Sequence, residues 1–271
     1  MDYNITMINQ EFKGLFDKEK FVSDMNTHGY SILENCLTKD FIERAKIQLM
    51  EAIEKEFKYH GKKNYVDYGM VMLCSLYGGV FIEIFDNPKI MEPFNLILGD
   101  GCIVYAYISS SMPPSSGNYS SRIHVDSPRI IPGYITNMGA TILLDDFTEE
   151  NGATWFLPCS QHTHEPPSEE YFFSHAKRLI AKAGTVWFFN ARTWHLGGHN
   201  KTNKWRHALT FNICRPWMKQ RVDIPRAMSG IDISNYSERA LQKLGFYAQI
   251  PASYDEYYVP LEKRKFKQKV E

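Results

Sequence analysis

Arg122-Ile123-His124-Val125-Asp126 sets an imidazole and a carboxylate two positions apart. On a β-strand that spacing points both side chains to one face. Two ligands fixed on one face make two-thirds of the 2-His-1-carboxylate set that holds non-haem Fe(II). With nine His and 31 acidic residues in 271, one His-x-acidic pair is expected by chance and one is present. The pair alone therefore decides nothing, and its surroundings must.

Outward from this stretch the chain has the texture of a β core. Short apolar runs separated by turn residues predict strands over 102–109, 121–126, 139–144, 153–157, 184–189 and 205–214, with 153–157 as a hairpin partner after the Glu149-Glu150-Asn151-Gly152 turn. No crossover helices intervene, so the strands are expected to be antiparallel. The pattern favours a sandwich or jelly roll over a parallel α/β sheet; the expected fold is mainly β with flanking helices, with a double-stranded β-helix (jelly roll, cupin-like) as its core.

The first hundred residues carry helical stripes instead. Phe12, Leu15, Phe16, Phe21, Val22 and Met25 predict a helix that ends at His28-Gly29 and leads into a strand over 30–33. Thr38 caps a second helix whose inner face is Phe41, Ala45, Leu49, Ala52, Ile53 and Phe57. An aromatic loop with Tyr65, Tyr68, Met70, Met72 and Tyr77 is placed to cover a pocket, and a helix over 88–98 stops at Gly99-Asp100-Gly101. Beyond Pro216 a helix over 237–244 and a short basic tail, Lys263 to Lys269, complete the chain. One domain is expected overall: a helix-and-strand region over 1–100, the core over 101–215 and an extension over 216–271.

Composition narrows the function. Lys and Arg balance Asp and Glu at 31 each, which gives no global field to attract nucleic acid or an anionic membrane. Five cysteines with no CxxC pair argue against a disulfide framework or zinc knuckle and for a reducing cytoplasm. The N-terminus has no basic segment followed by an apolar run, and no apolar stretch is long enough to span a membrane. A small-molecule partner is expected, and oligomeric state is not legible.

Three histidines compete for the third ligand position. His195 sits just past a buried strand and before Gly197-Gly198, His199 lies inside a polar turn, and His207 points opposite to Arg206 on its strand. His195 is favoured. Arg206, on the neighbouring antiparallel strand, supplies the fixed guanidinium that an iron oxygenase needs to grip the far carboxylate of its co-substrate.

Taken together, these features resemble the phytanoyl-CoA dioxygenase family of Fe(II)- and 2-oxoglutarate-dependent oxygenases. The resemblance runs over roughly residues 20–215. It includes the His28-Gly29-Tyr30 entry, His124-Val125-Asp126, the segment from Asp145 through Gly152 to Leu157-Pro158-Cys159-Ser160-Gln161-His162, and His195 through Asn200 to Arg206. It implies iron held by His124, Asp126 and His195, Arg206 on the 5-carboxylate of 2-oxoglutarate, Thr141 near that co-substrate, and Asn200 fixing the turn behind His195. It also implies consumption of O2, with 2-oxoglutarate converted to succinate and CO2 as the substrate is oxidised. Cys159 stands where the family usually has Gly, and Asp126 disfavours the halide-accepting variant of this chemistry. Arg122, Arg129 and Tyr134 are candidate substrate contacts. The alternatives are a non-catalytic 2-oxoglutarate or metal binder, and a metal-dependent cupin-type isomerase, which would have no use for Arg206.

Overall fold

Asp17 accepts from the Lys20 backbone N–H at 2.9 Å and so caps helix α1 (Lys18–Thr27) in the computed structural model, which describes residues 15–60, 67–118 and 120–264. Phe12, Tyr65 and the tail beyond residue 264 lie outside the described residues. Phe21 and Met25, one turn apart, are buried on the inner side of α1. Gly29, at φ +80°, turns the chain straight into strand β1 (Tyr30–Leu33). Helix α2 (Lys39–His60) buries Phe41, Ala45, Leu49, Ala52 and Ile53 of the stripe read from the sequence and leaves its last member, Phe57, half-buried. Helix α3 (Pro88–Leu98) begins with Pro88 where a missing N–H costs nothing, capped by the Asn87 side chain on the Lys89 N–H.

The remaining strands are β2 (Ile103–Ser109), β3 (Asn137–Leu143), β4 (Trp155–Phe156), β5 (Lys177–Arg178), β6 (Val186–Asn190), β7 (His195–Leu196) and β8 (Ala208–Cys214). They form a five-stranded sheet in the order β1-β6-β3-β8-β2 and a three-stranded sheet in the order β5-β4-β7. Every pairing between them is antiparallel. Helix α4 (Glu169–His175) precedes β5, and helix α5 (Glu238–Leu244) packs beside β2.

Alternation along the strands divides the large sheet into two faces. Val104, Tyr107, Met138, Ala140, Ile142, Val186, Phe188, Leu209, Phe211 and Ile213 pack with the helices in the main core. Within it Tyr107 stacks on Phe211 with centroids 4.1 Å apart, and each aromatic so buried contributes about 2–3 kcal/mol. On the other face Leu143, Trp187, Phe189 and Ala208 share a smaller core with Phe156 of the second sheet. Near residue 105 the register of β2 against β8 slips, because Val104 pairs with Ile213 and Ala106 with Asn212. This β-bulge gives Tyr105 and Ala106 to the same side and returns Tyr107 to the helical core.

Two strand expectations are corrected. Residues 121–126 form only an isolated bridge, His124 with His195. The Asp126 and Ser127 N–H groups both turn to the Ala191 carbonyl, which breaks any ladder. Nor is 153–157 a hairpin partner of β3. Gly152, at φ +84° and with room for no Cβ beside the Gly198 carbonyl (2.7 Å), sends the chain across to the second sheet, where β4 pairs with β5 and β7. All five cysteines are unpaired thiols, and no helix among the described residues is long and apolar enough to cross a membrane.

Candidate metal centre

An isolated backbone bridge between His124 and β7 of the second sheet is what brings the ligand atoms together. His124 and His195 exchange backbone N–H to carbonyl bonds at 2.9 Å in both directions, which sets their rings 4.3 Å apart. Asp126 Oδ1 then lies 3.6 Å from His124 Nε2 and 4.0 Å from His195 Nε2. One ligand atom from each of the three fits within a 4.8 Å span. Each imidazole faces a backbone carbonyl through Nδ1, His124 at 2.8 Å from Arg122 O and His195 at 2.9 Å from Thr193 O. A carbonyl only accepts, so Nδ1 must be the protonated nitrogen in the neutral ring. Both Nε2 lone pairs are thereby free to bind a metal ion. Burial, reinforced by the neighbouring His124, pushes the His195 imidazole down to about 4, which keeps it in that neutral form.

The carboxylate is held from behind. Asn212 Nδ2 donates to Asp126 Oδ2 at 3.3 Å, Asn137 Nδ2 to Asn212 Oδ1 at 2.9 Å, and Thr136 Oγ1 to Asn137 Oδ1 at 2.8 Å. Two imidazoles and one carboxylate on one side of a cavity, with the other side open, are a donor set that can hold a metal ion and leave coordination positions free.

The cavity holds about 200 Å³ and opens to solvent. Its walls include Thr141, Trp187 and Phe189 from the sheet face, Met70 from the aromatic loop, and Arg206. Arg206 is 2% exposed. It is fixed by Nη1 donating to Gly152 O at 2.6 Å, by Nη2 donating to Ser110 O at 2.7 Å, and by lying over the Phe147 ring at 4.3 Å. Its Nε finds no partner, and no carboxylate forms an ion pair with it among the described residues. Burial accordingly pulls its pKa down to about 9. A buried cation with no carboxylate in ion-pair contact, only the Asp145 charge acting on it from further off, and a spare N–H at a cavity wall is built to receive an anion.

The other residues singled out from the sequence fall in different places. Thr141 is buried on the cavity wall. Asn200, fully buried, donates to the Pro113 and Lys204 carbonyls at 3.0 and 2.8 Å and accepts from Thr202, locking the turn that leads into Arg206. His199 is exposed, and His207 is buried away from the cavity, its ring stacked on Trp205. Arg122 is exposed and is not among the cavity residues, while Arg129 and Tyr134 line a separate small cleft. Tyr134 carries Arg215 on its ring at 4.0 Å and accepts from Trp217 Nε1. Tyr68 and Tyr77 pack into the main core. Asn212 and Arg221 line the cavity without having been anticipated. Asn212 was findable, since Thr210 and Asn212 are polar residues alternating with Leu209, Phe211 and Ile213 on one strand. Arg221 carries no such local signal.

Comparison with known proteins places these features in a lineage. Residues 25–208 match the family model for phytanoyl-CoA dioxygenase. The uncharacterized protein Rv1501 of Mycobacterium tuberculosis is 27% identical over 251 residues, 90% of this chain and 92% of its own length. A dioxygenase of Alternaria alternata, ALT11, is 32% identical over 114 residues, 41% of this chain and 37% of its own. Among solved structures, the non-heme monooxygenase ThoJ in its apo form has a TM-score of 0.60 at 18% identity over 74% of this chain and 80% of its own. EvdMO1 has a TM-score of 0.60 at 19% identity over 73% and 50%.

Proposed function

The chain belongs to the phytanoyl-CoA dioxygenase family, and from that premise we propose that it is an Fe(II)- and 2-oxoglutarate-dependent dioxygenase acting on a small molecule, its two sheets forming a double-stranded β-helix. The observation that carries this reading is the pairing, in one cavity, of a three-donor cluster with a buried guanidinium that has no acidic partner. A metal-dependent isomerase or hydrolase needs the cluster and has no use for Arg206.

His124 Nε2, Asp126 and His195 Nε2 would hold the iron. Once bound, the iron couples the decarboxylation of 2-oxoglutarate to succinate and CO2 with oxidation of the substrate by O2. The protein's own groups do the positioning. Arg206 receives the far carboxylate of 2-oxoglutarate, its plane fixed in advance by the Gly152 and Ser110 carbonyls, so little freedom is lost on binding. The Thr141 hydroxyl stands beside that path. Asn212 keeps Asp126 turned toward the metal, and Trp187 and Phe189 exclude water from the wall behind His195.

The test is anaerobic absorption spectroscopy of the protein with Fe(II) and then 2-oxoglutarate, which should bring up a weak visible charge-transfer band. Arg206→Ala should weaken 2-oxoglutarate binding by about 30-fold or more, as removal of one member of a buried charged pair does, and should leave Fe(II) binding in place. Folded wild-type protein that takes up Fe(II) and gives no band with 2-oxoglutarate would refute the reading.

A further inference from the structure

Arg221 reaches the same cavity as the metal cluster, yet it comes from the segment after β8 and has no part in the centre just described. Its backbone N–H donates to Tyr105 O at 3.0 Å, which ties it to the bulge in β2. Tyr105 and Ala106, the bulge residues, line the cavity beside it. Register then fixes where it stands relative to the other guanidinium. Ala106 pairs with Asn212, the residue that holds Asp126, whereas Arg206 stands before the start of β8. Six strand positions separate 206 from 212, roughly 20 Å of backbone at 3.3 Å each. Arg206 therefore stands at one end of this strand pair, and Arg221, an exposed residue at the cavity rim, at the other, the end at which Asn212 holds Asp126. The Arg221 guanidinium has no hydrogen-bond or ion-pair partner among the described residues.

Charge in the loaded cavity leaves this arginine over. Two neutral imidazoles, the Asp126 anion, a divalent metal, a 2-oxoglutarate dianion and the Arg206 cation sum to zero. Arg221 adds one positive charge on the side from which a substrate must approach, since the Arg206 end is taken by the co-substrate. Met70 and Ile108 line the same cavity, offering apolar surface to the body of a ligand.

We propose that Arg221 is the specificity-determining residue of this oxygenase and that the substrate is a small carboxylic acid, its carboxylate on Arg221 and its oxidised C–H turned to the metal. The proposal rests on the function proposed above. A carboxylate fits the planar guanidinium through two parallel N–H to oxygen bonds, and one arginine on this side of the cavity lining suits a monoanion better than a polyphosphate-bearing thioester.

The experiment uses the full chain loaded with Fe(II) and saturated with 2-oxoglutarate, and pairs of compounds that differ only in charge: phenylacetate with phenylacetamide, decanoate with decanamide, and N-acetyl-leucine with its amide. Substrate-dependent succinate release is the readout. The expected result is that at least one acid is preferred to its amide by about tenfold or more in KM, the worth of one good charged pair. Arg221→Gln should erase that preference by raising KM for the acid and not that for 2-oxoglutarate, and Arg221→Lys should restore part of it. Amides used as well as acids, a preference that survives Arg221→Gln, or no response to any acid would overturn the proposal. Failure of 2-oxoglutarate to bind the wild-type protein would instead remove the function on which it stands, and the charge-transfer band distinguishes that outcome from the others.

Discussion

Replacing Gly139 by alanine tests how tightly the metal cluster is braced. Gly139 lies on β3 directly across from Phe189. A Cβ at this position would stand 2.5 Å from Cε1 and Cε2 of the Phe189 ring, and closer still to Cζ. Carbon atoms settle about 3.5–4.0 Å apart, so the ring must retreat by roughly 1.5 Å. It has nowhere soft to go, with Trp187 stacked on it at 4.1 Å and His195 edge-on at 5.0 Å. The backbone at 139 is outside the left-handed region, so the whole cost is steric. Overpacking of this kind costs about 1–3 kcal/mol, which in a chain of this size lowers Tm by roughly 3–10 °C. The displaced ring should also push His195 and weaken metal binding. Calorimetry of the metal-free protein and chelator competition for Fe(II) measure the two effects. In a Phe189→Leu background the same alanine should cost nothing measurable. A Tm within about 1 °C of the parent, or an equal loss in both backgrounds, would show that the ring is not the brace described.

Three further outcomes are expected. Asn212→Ala removes the donor that orients Asp126 and should lower Fe(II) affinity about 10–100-fold, read by chelator competition, with the far-UV circular dichroism retained. Asn200→Ala leaves the buried Pro113 and Lys204 carbonyls without their donor and should cost about 2–3 kcal/mol in denaturant unfolding. In the metal-free protein His195 stays neutral down to about pH 4, whereas the unfolded chain protonates near 6.5. Its contribution to stability is therefore full above pH 6.5 and is lost as the pH falls from 6.5 toward 4. Tm should drop across that window, and His195→Gln should flatten the drop.

The sequence was most legible where one face of an element is continuous. The stripe from Phe41 to Ile53 and the Pro88–Leu98 helix follow directly from periodicity and capping. Short apolar runs likewise marked β2, β3, β6 and β8 to within a few residues. The spacing of His124 and Asp126 led to the cluster for a different reason from the one assumed. No strand pleat aligns them; one backbone bridge to His195 and the Ala191 carbonyl do. Arg122 and Arg129 drew attention through their nearness in sequence to that pair, but nearness in sequence does not place a side chain in a cavity. Arg221 does line it, by way of a hydrogen bond to Tyr105, a residue far away along the chain. Contacts of that range leave no local pattern to read.

The bulge at Tyr105 has a consequence for how such a protein can diversify. In a strictly alternating strand, any change in the number of residues facing the cavity would invert every later side chain and drive Tyr107 out from beneath the helices. Because the slip is absorbed between Val104 and Ala106, the rim can gain or lose a residue while Val104 and Tyr107 keep their seats in the helical core. Selection acting on what enters the cavity and selection acting on the integrity of the scaffold thus meet at this point without opposing each other.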